Sequence, residues 1–70
     1  MALKKRSFSL SGHRTSVALE AEFWAAIDAE VRSSGKSFAA FAADIDRKRG
    51  MRPLASALRL HALAAASRSP

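Results

Sequence analysis

The stretch Arg14–Glu20, RTSVALE, alternates polar and apolar residues with a period of two. Thr15, Val17 and Leu19 fall on one side and Arg14, Ser16 and Ala18 on the other, the pattern of a strand with one face in a core and one in solvent. A strand cannot bury its backbone N–H and C=O groups unpaired. Two partners are conceivable. RSFSL, residues 6–10, also alternates through Phe8 and Leu10, and its even parity switches to the odd parity of Thr15, Val17 and Leu19 around Gly12, as a hairpin across SGHR requires. Alternatively, RTSVALE pairs antiparallel with the same segment of a second chain.

Size bears on the choice. Seventy residues bury little apolar surface, and domains of this length commonly lean on a disulfide, a metal or a partner subunit. The chain has no Cys, and its two His residues, His13 and His61, have no Cys or carboxylate at ligand spacing. Disulfides are excluded, and neither a metal nor a cofactor is indicated. Elimination leaves oligomerisation and favours the second chain as the strand's partner.

The rest of the chain has helical periodicity. From Glu20 to Ser34, Phe23, Ile27 and Val31 recur every four residues beside Trp24, acidic Glu20 and Glu22 occupy the first turn, and Gly35 supplies a left-handed stop. Ser37 is a good N-cap for a second helix, which places Phe38, Phe41, Ala42 and Ile45 on one face and runs to Gly50. Asp44 and Lys48 stand at the favourable four-residue spacing. Pro53 suits the first turn of a third helix, with Leu54, Leu58 and His61 in one stripe widened by Ala57, Leu60 and Ala64. The closing SRSP is expected to fray.

Charge is unevenly distributed. The formal net charge is +6. Lys4, Lys5, Arg6 and Arg14 precede the first acid, Glu20, and Lys36, Arg47, Lys48, Arg49, Arg52, Arg59 and Arg68 oppose only Asp44 and Asp46 in the second half. This balance favours a polyanionic partner. A membrane surface fits less well than nucleic acid, because only Arg52 and Arg59 lie along the last helix. MALKKRSFSLSG lacks the apolar run of a secretory signal, and Leu60–Ala66 is too short to span a bilayer. A soluble, cytoplasmic protein of bacterial type is expected.

Strand RTSVALE, a first helix containing FW, the turn GKS and a second helix FAAFAADI together resemble the ribbon-helix-helix family of small bacterial and phage DNA-binding regulators. The opening SLSGHRTSVALEAEFW and the later LASALRL are similar to a bacterial subgroup with an extra C-terminal helix. The resemblance implies a mainly α fold with one short β-strand: an intertwined homodimer, or a dimer of dimers, with a two-stranded antiparallel intermolecular ribbon, plus a third helix. It divides the chain into a basic N-terminal arm (1–12), the ribbon-helix-helix domain (13–50) and a C-terminal helix with its tail (51–70).

The same resemblance assigns candidate sites toward double-stranded DNA. Arg14, Ser16 and Ala18 match the strand positions that read base edges in the major groove. Arg14 can grip guanine through two hydrogen bonds, Ser16 can donate or accept, and Ala18 offers only a methyl group. Glu20, next on that side, would repel phosphate and is expected to turn away. Lys36, Ser37 and Phe38 match the helix N-terminus that binds a phosphate. On the charge asymmetry alone, Lys4, Lys5 and Arg6 form a candidate DNA arm. No catalytic residue emerges: Asp44 and Asp46 point to different helix faces, and the chain offers little volume for a concave site. The expected function is a sequence-specific transcriptional repressor. The alternatives are an antitoxin-like or adaptor module docking a protein on the third helix, and a dimerisation scaffold without DNA binding.

Overall fold

The computed structural model describes residues 2–68. Two strands, β1 (Leu3–Leu10) and β2 (His13–Glu20), are followed by three helices, α1 (Ala21–Ser34), α2 (Phe38–Lys48) and α3 (Leu54–Arg68). The ribbon-helix-helix order with a third helix is present, but the described residues contain two strands rather than one. Residues 3–10, expected as part of an arm, form β1, which pairs antiparallel with β2 in register from Leu3↔Glu20 to Leu10↔His13.

The turn between the strands explains this pairing. Ser11 and Gly12 are the two connecting residues and both have positive φ, 52° and 82°. Two successive left-handed residues make the tight turn whose twist matches that of a hairpin. Glycine adopts that conformation without steric cost at the second position. Within one chain, therefore, the strand RTSVALE finds its partner in LKKRSFS.

Residues opposite one another in an antiparallel pair project to the same side of the sheet. Phe8, Val17 and Leu19 are buried, so Lys4, Arg6, Phe8 and Leu10 share the core side with His13, Thr15, Val17 and Leu19. Lys5, Ser7 and Ser9 share the outer side with Arg14, Ser16 and Ala18. The parity switch at Gly12 produces this sorting.

The helices cover the core side, with α2 against β1, α3 against β2, and α1 touching β2 and both other helices. Leu19, Ile27 and Leu58 are fully enclosed, and Trp24, Phe41, Ala42, Ile45 and Ala62 complete the centre. Glu20 is extended at the start of α1, and Gly35, at φ 72°, ends that helix. The Ser37 hydroxyl accepts from the Ala40 amide at 3.1 Å, capping α2 as its sequence requires. A short turn leads into α3, held by the Arg52 amide on the Arg49 carbonyl at 3.1 Å.

Several side chains depart from their expected places. Phe23 and Val31 are only half-buried and pack at the edge of the core. On α3 the enclosed stripe is Leu58 and Ala62, with Leu54 packed against it; Leu60 and Ala64 face outward. Asp44 pairs with Lys36 and Arg47 rather than with Lys48. The helix also continues through Ser67 and Arg68, where fraying was expected, and Ser69 and Pro70 lie outside the described residues.

Candidate nucleic-acid interface

The outer side of the hairpin is a continuous polar surface. Lys5, Ser7, Ser9, Arg14 and Ser16 are exposed, and Ala18 is half-exposed. The register sets Ser7 opposite Ser16, Ser9 opposite Arg14 and Lys5 opposite Ala18. The Arg14 guanidinium, the Lys5 ammonium and the three serine hydroxyls have no side-chain hydrogen bond or ion pair within the described residues. A row of unused donors on a two-stranded ribbon has the chemistry to meet base edges and phosphates.

The one acid at the end of this surface is engaged elsewhere. Glu20 Oε1 accepts from Arg59 Nε of α3 at 3.1 Å, so its carboxylate is drawn back toward the helices. Its own backbone N–H, and then Arg59, hold the Glu20 carboxyl below the usual carboxylate range. The expected turning away of Glu20 thus has a partner, at a separation of thirty-nine residues in the chain.

The basic run at the start of the chain divides by parity. Arg6 lies on the core side and donates through both terminal nitrogens to the two carboxylate oxygens of Asp28, each at 2.8 Å. Its guanidinium also stacks 4.4 Å from the centre of the Trp24 ring. The hydrogen bonds from Arg6 hold the Asp28 carboxyl below its ordinary range. Arg6 is consequently a structural clamp between β1 and α1, not a residue of a free arm. Lys4 shares its side of the sheet, and the Lys4 carbonyl accepts from Trp24 Nε1 at 2.7 Å. Of the three arm candidates, Lys5 alone reaches the outer face.

The start of α2 is a separate feature. The Phe38 ring sits edge-on to Phe8 at 4.9 Å and lies 6.1 Å from Trp24, which fixes the beginning of α2 on the core side of the hairpin. Lys36, Ser37 and Phe38 therefore do not join Arg14, Ser16 and Ala18 on one face. Lys36 is exposed but ion-paired with Asp44, and the Ser37 hydroxyl is used for the cap. What remains available to an anion is the backbone at the helix N-terminus and the charge of Lys36. Phe38 contributes its amide, its side chain being part of the packing.

Other candidates have structural roles. His61 packs edge-on to Phe41 at 5.0 Å, and its Nε2 lies 3.3 Å from Glu30 Oε1 without hydrogen-bond geometry. No group of three or more potential ligands gathers among the described residues, and no described helix is long and apolar enough to cross a membrane. On α3, Leu60 and Leu63 remain exposed after the helix has packed. Sequence reasoning passed over Ser7 and Ser9. Their signal was the alternation of KRSFSL, obscured by Lys4 and Arg6 at inward positions.

The family model for the ribbon-helix-helix domain matches residues 3–66. The chain belongs to the ribbon-helix-helix family. No curated protein and no solved structure matches it. The match runs through both strands and most of α3, so β1 and the third helix fall within the ribbon-helix-helix domain. Ribbon-helix-helix domains are generally found in DNA-binding transcription regulators and are not enzymatic.

Proposed function

We propose that the protein is a sequence-specific DNA-binding transcription regulator, a repressor, that works as a homodimer and lays its β-ribbon in the major groove. The observation that carries this reading is the outer face of the hairpin: Arg14 and Ser16 stand exposed and without a side-chain partner among the described residues, while the adjacent carboxylate, Glu20, is tied to Arg59. In the groove, Arg14 grips guanine O6 and N7, Ser16 bonds a neighbouring base edge, and the Ala18 methyl packs against a thymine methyl. Lys36 and the amides of Ser37 and Phe38 anchor a phosphate and fix the register of the ribbon.

The dimer reading rests on β2. Its pairing with β1 uses one edge, and the two-stranded sheet leaves the other edge of β2 without a strand partner among the described residues. Joining two β2 strands there satisfies the open backbone groups and brings two copies of Arg14, Ser16 and Ala18 side by side. Occlusion of a promoter then represses transcription in the cytoplasm of a bacterial-type cell.

Selection of bound sites from a pool of random duplex DNA tests the proposal. The expected result is enrichment of a two-fold symmetric motif, because a symmetric dimer reads two half-sites. Recovery of unenriched DNA would refute sequence-specific regulation. It would turn attention to Leu60 and Leu63 of α3 as a protein-docking surface, or to a scaffold role.

A further inference from the structure

We propose that β1 supplies a second set of DNA contacts, in which Lys5, Ser7 and Ser9 bind the phosphates flanking the groove occupied by β2. The inference rests on the DNA-binding reading above and assigns to DNA two residues, Ser7 and Ser9, that the resemblance left without a role.

The assignment follows from parity. Consecutive residues of β1 have opposite duties: Lys4 and Arg6 project to the core side, where Arg6 clamps Asp28 and stacks on Trp24, whereas Lys5, Ser7 and Ser9 project outward beside Ala18, Ser16 and Arg14. None of the three outward side chains has a hydrogen-bond or ion-pair partner within the described residues, and all three are exposed. A cation and two hydroxyls aligned on one strand are complementary to a row of anionic oxygens. The retreat of Glu20 to Arg59 leaves no carboxylate on that surface to oppose them.

Width decides between phosphates and bases. Adjacent strands lie about 4.8 Å apart. With two β2 strands at the centre of the ribbon, each β1 runs about 7 Å from the two-fold axis by the same spacing. The major groove is about 12 Å wide, so its wall stands about 6 Å from that axis. The outer strands therefore ride over the walls, where phosphates are, and the inner strands face the bases. Serine is short enough to let the strand approach the backbone closely, and Lys5 adds a charge that displaces a condensed counterion.

The test uses fluorescence anisotropy of the full chain with two labelled duplexes, a selected site and a scrambled one, over a series of salt concentrations. Lys5→Ala is expected to weaken both duplexes alike and to make the slope of log affinity against log salt shallower by about one for each Lys5 on the DNA. The double variant Ser7→Ala, Ser9→Ala should raise Kd roughly 3- to 10-fold on both duplexes, the loss of about one net hydrogen bond or more. Lys4→Ala, one residue away on the opposite parity, should leave the slope unchanged. Far-UV circular dichroism confirms that each variant is folded, and these exposed side chains hold nothing in the fold. Unchanged affinity and slope in the Lys5 and serine variants, with Arg14→Ala still losing discrimination, would remove β1 from the DNA and leave the reading of β2 intact. A loss confined to the selected duplex would overturn the phosphate assignment by making β1 a base reader. Failure of the unsubstituted protein to bind either duplex would refute the DNA reading itself, and this inference with it.

Discussion

Replacing Trp24 by alanine probes the joint between the hairpin and the helices. The indole is 3% exposed; its Nε1 donates to the Lys4 carbonyl of β1 at 2.7 Å, and Arg6 stacks on it at 4.4 Å. Deleting a buried aromatic side chain costs about 3–5 kcal/mol. The hydrogen bond adds about 1 kcal/mol and the cation–π contact about 0.5–1 kcal/mol, so the upper part of that range applies. A chain of seventy residues has roughly 3.5–10 kcal/mol of stability in all, at about 0.05–0.15 kcal/mol per residue. Trp24→Ala should therefore leave the protein marginally folded or unfolded at room temperature. Trp24→Phe keeps an aromatic ring and removes the Nε1 donor, and should cost about 1–2 kcal/mol. Urea unfolding followed by circular dichroism at one fixed protein concentration measures both. A loss below about 1 kcal/mol for Trp24→Ala, with an unchanged denaturant slope, would refute the claim that this ring locks β1 to the helices.

Three further outcomes are expected. The Arg6–Asp28 pair lowers the Asp28 pKa in the folded state, so its contribution is present above the ordinary carboxylate range and is lost as pH falls through the folded value. Urea midpoints should thus decline below about pH 4, and Asp28→Asn should flatten part of that decline; partial exposure of the pair limits its worth to about 1 kcal/mol or less. Unfolding midpoints should rise with protein concentration if folding and dimerisation are linked, and midpoints that stay fixed over a hundredfold dilution would contradict the proposed dimer. Lys36→Ala should weaken binding to all DNA sequences alike and flatten the salt dependence by about one unit for each phosphate that Lys36 neutralises, an effect that titrations at several salt concentrations detect.

The helices were legible in the sequence because their signals are local. Gly35 stops α1 and Ser37 caps α2 through contacts made within a few residues. The core positions Trp24, Ile27, Phe41 and Ile45 follow from helical spacing. The first strand was harder to read because Lys4 and Arg6 put charge where alternation calls for apolar residues. The inward position of Arg6 is tolerated because it meets Asp28 twenty-two residues away and lies over Trp24, partners that only the tertiary fold brings together, and Lys4 at the same parity stays exposed. The same reason hid the Glu20–Arg59 pair, whereas Asp44 takes local partners, Arg47 one helical turn on and Lys36 in the turn before α2, rather than Lys48. At the candidate site, the outward parity of Arg14, Ser16 and Ala18 was legible from RTSVALE alone, while the extension of that face across Lys5, Ser7 and Ser9 required the strand register.

The central claim, that the outer face of β2 reads bases, is tested most directly by titrating Arg14→Ala and the unsubstituted protein with a selected and a scrambled duplex at one salt concentration. Loss of about 1–3 kcal/mol on the selected duplex, with a much smaller loss on the scrambled one, is the predicted result. Equal losses on the two duplexes would contradict base reading by Arg14, and no loss on either would take this face off the DNA.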